Sequence, residues 1–204
     1  MNSIWTDTVS LPSFAPLEGE VKTEVLIIGG GMAGVLCAYL LQEKGVDYRL
    51  VEGRRIGCGV TCNTTAKITV QHGLLYHKLL QSAGVEIANL YWQANQKAVD
   101  KYRELGQVID CDFETKTSFL YAREDGQKLE QEAEALRKIG CKVTLSESSE
   151  LPFPTAGVLG IEQQGQFHPL KLVAGIVQNL HIYENTFVKE LKENLAVTEH
   201  GKGL

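Results

Sequence analysis

Four apolar residues, Val25, Leu26, Ile27 and Ile28, run straight into three consecutive glycines, and a fourth glycine, Gly34, follows after Met32 and Ala33. This stretch constrains the fold more than any other part of the chain. A short, nearly continuous apolar run has the composition of a strand buried on both faces of a parallel sheet. The next residues, MAGVLCAYLLQEKG, repeat apolar side chains at helical spacing through Leu36, Tyr39 and Leu40, and Gly45 supplies a helix stop. DYRLVEG then reads as a second strand. Strand, glycine turn, helix and strand within about thirty residues make a βαβ unit with a right-handed crossover.

Gly29, Gly31 and Gly34 fall in the pattern G-x-G-x-x-G, between strand and helix. Gly29 permits the tight turn, Gly31 lets the backbone approach a pyrophosphate, and Gly34 lets the helix lie close on the strand. The phosphates would sit on the unpaired N–H groups and the positive dipole end of the helix starting near Met32. A second signal agrees with the first: Glu52 ends the second strand eighteen residues after Gly34, where a carboxylate accepts hydrogen bonds from a ribose diol. Together they point to an adenine dinucleotide and do not choose between NAD and FAD. Residues 53–73 are rich in glycine, threonine and asparagine and show no period, the mark of a functional loop rather than an idle one. Thr61, Asn63, Thr64 and Thr65, with their backbone N–H groups, suit the rest of an extended diphosphate and ribityl chain; the plainer reading is a solvated polar loop. Arg54 and Arg55 either flank the ribose and phosphates or are simply solvated.

Composition narrows the partners. The chain has 204 residues, 44% of them apolar, and a formal net charge of −5 without a basic block, which excludes the electrostatic footprint of a nucleic-acid or anionic-membrane binder. No apolar run reaches the ~20 residues of a membrane span, and the first residues lack the basic region and apolar core of a signal peptide, so a cytoplasmic location is expected. The five cysteines, Cys37, Cys58, Cys62, Cys111 and Cys141, form no Cys-x-x-Cys pair; free thiols and no metal site are expected.

Further along, residues 1–22 read as an extended arm anchored by Trp5, Leu11, Phe14 and Leu17. A long helical segment after residue 74 is expected to break near Gly84. FETKTSFLYA reads as a strand, GQKLEQEAEALRKIG as an amphipathic helix and CKVTLS as another strand. The stretch from Leu151 reads as an irregular connection leading to a helix near His168, with Pro169 in its first turn. The remainder reads as strands joined by turns.

The combination of the glycine motif and YRLVEGRRIGCGVTCNTTAKIT, then GQFHPLKLVAGI, then IYENTFVKEL resembles the FAD-dependent oxidoreductases of the glycine/D-amino-acid oxidase (DAO) family. The branch it resembles most often carries a Rieske iron–sulfur domain after the FAD domain. The resemblance implies an α/β fold: a Rossmann-like FAD/NAD(P)-binding domain, a βαβ with a parallel sheet, plus part of an α+β substrate or cap domain. It implies a first FAD-domain portion with the N-terminal arm over 1–75, a helical and partial substrate-domain insertion over 76–166, and a return to the FAD domain over 167–204. It implies FAD as cofactor. Gly29, Gly31, Met32, Ala33 and Gly34 would touch the pyrophosphate, and Glu52 the adenosine ribose with Gly53 and Arg54 nearby. Thr61, Thr64, Thr65 and Ala66 would line the pyrophosphate-to-flavin stretch, and the main chain of Val188 would meet the adenine. The implied reaction oxidises an amine or amino acid by hydride transfer to the flavin, with an electron acceptor that the sequence does not identify.

Family members run well beyond this length, and the paired Cys-x-His ligands of a Rieske cluster do not occur. The expectation is therefore an N-terminal, FAD-binding portion of such an enzyme, possible homo-oligomerisation through an uncovered sheet included. The alternative is a non-catalytic dinucleotide-binding module for NAD or ADP. No general base is assigned: His72, His77 and His168 have no identifiable partner, and isolated histidines are more often structural. Lys67 and Gln71 are placed to approach the flavin ring from the loop. Cys58 and Cys62, three residues apart, are a conceivable redox pair but are expected to be ordinary free thiols.

Overall fold

The parallel order expected after the first strand is present in the computed structural model, which describes residues 3–147 and 151–199. The chain begins with α1 (Ile4–Thr8), β1 (Val25–Ile28), α2 (Met32–Glu43) and β2 (Tyr48–Val51). It continues with β3 (Lys67–Ile68), α3 (Tyr76–Val108), β4 (Glu114–Ala122), α4 (Gln127–Lys138), β5 (Thr144–Ser146) and β6 (Gly157–Gln166). Last come α5 (Pro169–Ile176), β7 (Ile182–Tyr183), β8 (Val188–Lys192) and β9 (Leu195–Thr198). These elements form two units, one of Met1–Ala66, Ile109–Asp112 and His168–Leu204, the other of Lys67–Val108 and Phe113–Phe167.

In the first unit, β1, β2 and β7 make a parallel sheet in that order. Val25 to Ile28 pair with Tyr48 to Val51, and Leu50 and Val51 pair in turn with Ile182 and Tyr183. Three of the four residues of β2 are buried, as its central place requires. β1 differs from expectation. Of its four residues only Ile27 is buried and Ile28 is 52% exposed, and among the described residues it pairs only with β2. In α2 the buried side chains are Val35 and Ala38, while Leu36 and Tyr39 are half-buried and Leu40 is exposed. The small residues face inward because the helix lies so close to the strand turn. Leu170, Leu172, Val173 and Ile176 of α5 complete this core.

The N-terminal arm is not wholly extended. Ser3 caps α1 by accepting the N–H of Trp5, a local hydroxyl cap that needs no long apolar stripe. Trp5 Nε1 then donates to the carbonyl of Thr64 at 2.9 Å, and its ring meets His168 edge-on at 4.9 Å. Leu17 is buried and donates its N–H to Thr186 Oγ1 at 3.0 Å.

The second unit is built on β6, which the sequence reading treated as an irregular connection. β4 pairs antiparallel along one edge of β6, and β3 and β5 share the other. Its strand signal is masked by Gly157, Gly160 and Gly165 and by the polar run Glu162-Gln163-Gln164. Those glycines are where neighbours press in: a Cβ at residue 160 would lie 2.5 Å from Thr144 Oγ1, and one at 165 only 2.8 Å from Phe113 Cζ. As expected, α3 is interrupted at Gly84, whose φ of 82° suits glycine. α4 buries Leu129, Ala133 and Leu136 on one face together with the carboxylate of Glu132. That carboxylate accepts the N–H groups of Tyr76 and His77 at 2.7 Å each, so a buried charge is met by the donor end of α3. Among the described residues no helix is long and apolar enough to cross a membrane.

Candidate dinucleotide site

The glycine turn lies entirely within the first unit. Gly29 has φ +109° and donates its N–H to Val51 at 2.8 Å, so the chain reverses at the end of β1 while tied to the end of β2. A Cβ on Gly34 would stand 2.0 Å from the carbonyl oxygen of Gly29; only hydrogen fits. At Gly31, the residue before the helix, a Cβ would meet nothing closer than Thr61 Oγ1 at 3.5 Å. That position is open, and α2 has no side-chain cap of its own. Met32 donates its N–H to Thr61 Oγ1 at 3.0 Å, whereas the N–H groups of Ala33 and Gly34 have no partner among the described residues. A bare backbone with uncommitted donors at a helix N-terminus is what a phosphate requires.

Glu52, just beyond β2, closes the turn. Its Oε2 accepts the N–H of Gly30 and its Oε1 that of Arg54, both at 2.8 Å. Each carboxylate oxygen keeps a lone pair for a further donor. The sequence reading passed over Gly30, which is buried: a Cβ there would lie 2.7 Å from Ile56 Cγ2 and 3.1 Å from Glu52 Cβ.

The segment after β7 brackets this acid from the other side. Glu52 donates its N–H to Tyr183 at 2.8 Å and accepts that of Thr186 at 2.9 Å, and Arg54 accepts that of Asn185 at 3.1 Å. Glu184 is 1% exposed and is met by the N–H groups of Ile56 at 2.8 Å and Phe14 at 3.1 Å and by Arg55 Nε at 3.3 Å. Glu184 and Thr186 are structural supports of the segments around Glu52 that sequence reasoning missed, since neither carries a local motif that announces its partners. Arg55 also binds Ser13 Oγ at 2.7 Å and the Pro12 carbonyl at 3.1 Å; it fastens the N-terminal arm. The Arg54 side chain is exposed. Gly53 lies under Phe187, whose Cδ2 would be 2.9 Å from an added Cβ. Val188 opens β8, half-buried and opposite Thr198.

In the following loop, Thr61 is buried at the start of a short 3-10 turn, Thr61–Asn63. Since its oxygen accepts from Met32, its hydroxyl proton is left to donate. Thr64 Oγ1 accepts the N–H of Ala66 at 3.2 Å, and Ala66 is buried with φ +56°. Thr65 is exposed. Cys58 and Cys62 are free thiols. Burial, with Cys62 alongside, pushes the Cys58 thiol up, away from the thiolate that redox or tethering chemistry needs.

Two of the three histidines lie in the second unit, where His72 Nδ1 meets Tyr91 at 3.0 Å. His168 is structural: its Nδ1 accepts the N–H of Lys171 at 3.2 Å, capping α5 ahead of Pro169, and its Nε2 lies 2.8 Å from Thr8 Oγ1. Burial lowers its pKa. Lys67 and Gln71 also belong to the second unit, Lys67 exposed and Gln71 buried. Among the described residues no group of three or more His, Cys, Asp or Glu side chains is placed to hold a metal.

Comparison with known proteins places this chain in a family. The FAD-dependent oxidoreductase (DAO) family matches residues 24–203. The chain is 32% identical over 198 residues to YhfW of Bacillus subtilis, named as a Rieske 2Fe-2S iron–sulfur protein, with 93% of this chain and 39% of that protein covered. It is 25% identical over 206 residues to the gamma-glutamylputrescine oxidoreductase of Escherichia coli, covering 93% of this chain and 48% of the enzyme. The chain thus spans less than half the length of these relatives. Among solved structures, L-proline dehydrogenase from P. horikoshii superposes with a TM-score of 0.71 at 18% identity, over 92% of this chain and 52% of that one. Glycine oxidase from Geobacillus kaustophilus gives 0.63 at 19% identity, over 88% and 52%. The α/β fold read from the glycine turn is the fold these enzymes share, and the chain belongs to the DAO family of FAD-dependent oxidoreductases.

Proposed function

We propose that the chain holds the adenosine diphosphate portion of FAD in the glycine turn of its first unit, in the service of amine or amino-acid oxidation. The observation that carries this reading is the pairing of uncommitted donors with uncommitted acceptors in one unit. The N–H groups of Ala33 and Gly34 are free at a bare helix start, and Glu52 keeps an open lone pair on each oxygen beside Gly30. The residues fit the cofactor in size as well, because Gly31 leaves the helix end open.

Gly29, Gly31, Met32, Ala33 and Gly34 cradle the pyrophosphate, which the N-terminal dipole of α2 favours. Glu52 accepts the ribose hydroxyls, with Gly53 and Arg54 beside it. Thr61 donates its remaining proton to a phosphate oxygen, and Thr64, Thr65 and Ala66 line the chain toward the flavin. The main chain of Val188 serves the adenine. When bound, FAD supplies the hydride acceptor at its ring system. The substrate class follows from relatives whose names specify gamma-glutamylputrescine, L-proline and glycine; no residue of this chain is assigned as base.

The test is the visible spectrum of the purified chain after FAD is added and the excess removed. A retained flavin spectrum that bleaches anaerobically with glycine, L-proline or a diamine supports the proposal. Failure to retain FAD, with ADP also leaving thermal stability unchanged, overturns it.

A further inference from the structure

The helix α1 cannot hold itself. It has five residues and buries none of them, far short of the ~12–15 that a helix needs to persist alone in water. Its side chains are fastened to the rest of the first unit through Trp5 and Thr8. Trp5 Nε1 donates to the Thr64 carbonyl at 2.9 Å, and Thr8 Oγ1 lies 2.8 Å from His168 Nε2. The Trp5 ring also meets the His168 ring edge-on, with centroids 4.9 Å apart. One imidazole therefore touches both side chains that fasten α1.

The partners of that imidazole fix where its proton sits. Nδ1 accepts the N–H of Lys171 at 3.2 Å, so it carries a lone pair. Thr8 gives its own hydroxyl proton to the Ile4 carbonyl at 2.9 Å, so it accepts from Nε2–H. A neutral ring satisfies both partners, and an imidazolium cannot. Its added N–H would face the Lys171 N–H and the positive end of α5, at a residue that is 5% exposed. The charged groups nearby do not offset this. Asp112 favours the imidazolium, but its carboxylate lies 2.8 Å from Lys171 Nζ, whose charge opposes it. Asp7 of α1 and Asp110 are exposed to water, Cys62 turns its thiol to the Gly59 carbonyl, and Cys111 offers its own carbonyl to the His168 N–H. Burial is the largest influence and holds the ring neutral. A planar ring moves as one piece, so turning away from Lys171 takes it from Thr8 and Trp5 together.

We propose that His168 is the pin of an acid-released latch: when its ring gains a proton, α1 comes away from the first unit and Trp5 withdraws its hydrogen bond from the Thr64 carbonyl. Residues 61–66, which the proposed function gives to the dinucleotide, then lose their tie to the arm. The chain from Ser13 onward stays in place, because Arg55, Glu184 and Thr186 hold it without the histidine.

The test follows two titrations of the full chain from pH 7.5 to pH 4.5, without FAD, so that the outcome is independent of the dinucleotide reading. NMR of the imidazole protons, assigned by their loss in His168→Asn, reports the charging of His168. Amide hydrogen exchange, corrected for the intrinsic effect of pH, reports residues 4–9 and 61–66, with residues 48–51 as the reference. Protection of residues 4–9 is expected to fall about 5-fold or more with the midpoint of the His168 ring, residues 61–66 following and residues 48–51 unchanged. His168→Asn keeps a cap for α5 that does not titrate; its residues 4–9 should be weakly protected at every pH. Protection of residues 4–9 that stays within about twofold while the ring titrates overturns the latch, and so does an equal fall with pH in His168→Asn. A ring that remains neutral down to pH 4.5 overturns it as well. Loss shared by residues 48–51 overturns it too, since the event is then unfolding of the whole unit. If His168→Asn does not fold, Thr8→Val decides: protection already lowered at pH 7.5 with a smaller fall on acidification supports the latch, and a profile like that of the unaltered chain overturns it.

Discussion

Glu52 Oε2 accepts the N–H of Gly30 at 2.8 Å, so the acid that follows the second strand holds the glycine turn that follows the first. The same carboxylate therefore supports the turn and faces the position assigned to a ribose. Glu52→Gln replaces one acceptor by an amide NH₂ that opposes either the Gly30 or the Arg54 N–H. The expected cost is about 1–3 kcal/mol of stability, with FAD affinity falling about 10-fold or more, read by thermal unfolding and flavin titration. Glu52→Gln with full FAD affinity would remove Glu52 from the binding site.

Gly31 and Gly34 should separate binding from folding. Gly34→Ala drives a methyl to 2.0 Å from the Gly29 carbonyl oxygen, a backbone clash expected to cost about 3 kcal/mol or more. Gly31→Ala meets only Thr61 Oγ1 at ordinary contact distance, and the backbone there is extended at φ −74°. As the N-cap of α2 it should lower the thermal midpoint by no more than about 4 °C, while FAD and ADP affinities fall about 10-fold or more. Equal loss of stability in both variants would refute this division.

His168 makes stability depend on pH in a set direction. Burial lowers its pKa, and its Nδ1 must stay unprotonated to accept the Lys171 N–H. The folded pKa lies below the unfolded value of about 6.5, so the unfolded chain binds more protons between the two. The contribution is complete above about pH 6.5 and is lost as pH falls toward the folded pKa. His168→Asn keeps a capping acceptor that does not titrate. Its midpoint should fall less than that of the unaltered chain between pH 7.5 and 5.5, followed by circular dichroism; parallel curves would show that His168 is not the group responsible.

Trp5 ties the N-terminal arm to the loop through its donation to Thr64. Trp5→Phe retains the ring beside His168 and loses only that bond, an expected cost of about 1 kcal/mol. Limited proteolysis should then cut within residues 3–17 several times faster, and FAD affinity should fall no more than about 5-fold. Unchanged proteolysis would mean that the arm's other ties, to Arg55, Glu184, Thr186 and His168, hold it without the Trp5 bond.

The β1–α2–β2 unit, the break at Gly84 and the start of α5 at His168-Pro169 were legible in the sequence because each is decided within a few residues. A glycine with positive φ, a capping side chain or a proline in a first turn acts on its own neighbours. The place of Glu52 after β2 was legible for the same reason, through its spacing from Gly34. Tertiary structure decided what depends on partners far along the chain. β6 becomes a strand because β3, β4 and β5 supply its hydrogen bonds and Phe113 and Thr144 fill the space over its glycines. Glu184 and Glu132 tolerate burial because groups from distant segments meet them, backbone N–H donors in both cases and Arg55 as well for Glu184. Gln71 Oε1 is met by Ser118 from β4, far along the chain. The sequence by itself determined where the backbone turns and what kind of ligand a bare helix end attracts. Only the folded chain decided which polar groups satisfied one another and which were left without a partner among the described residues, since that balance is set by contacts no local pattern encodes.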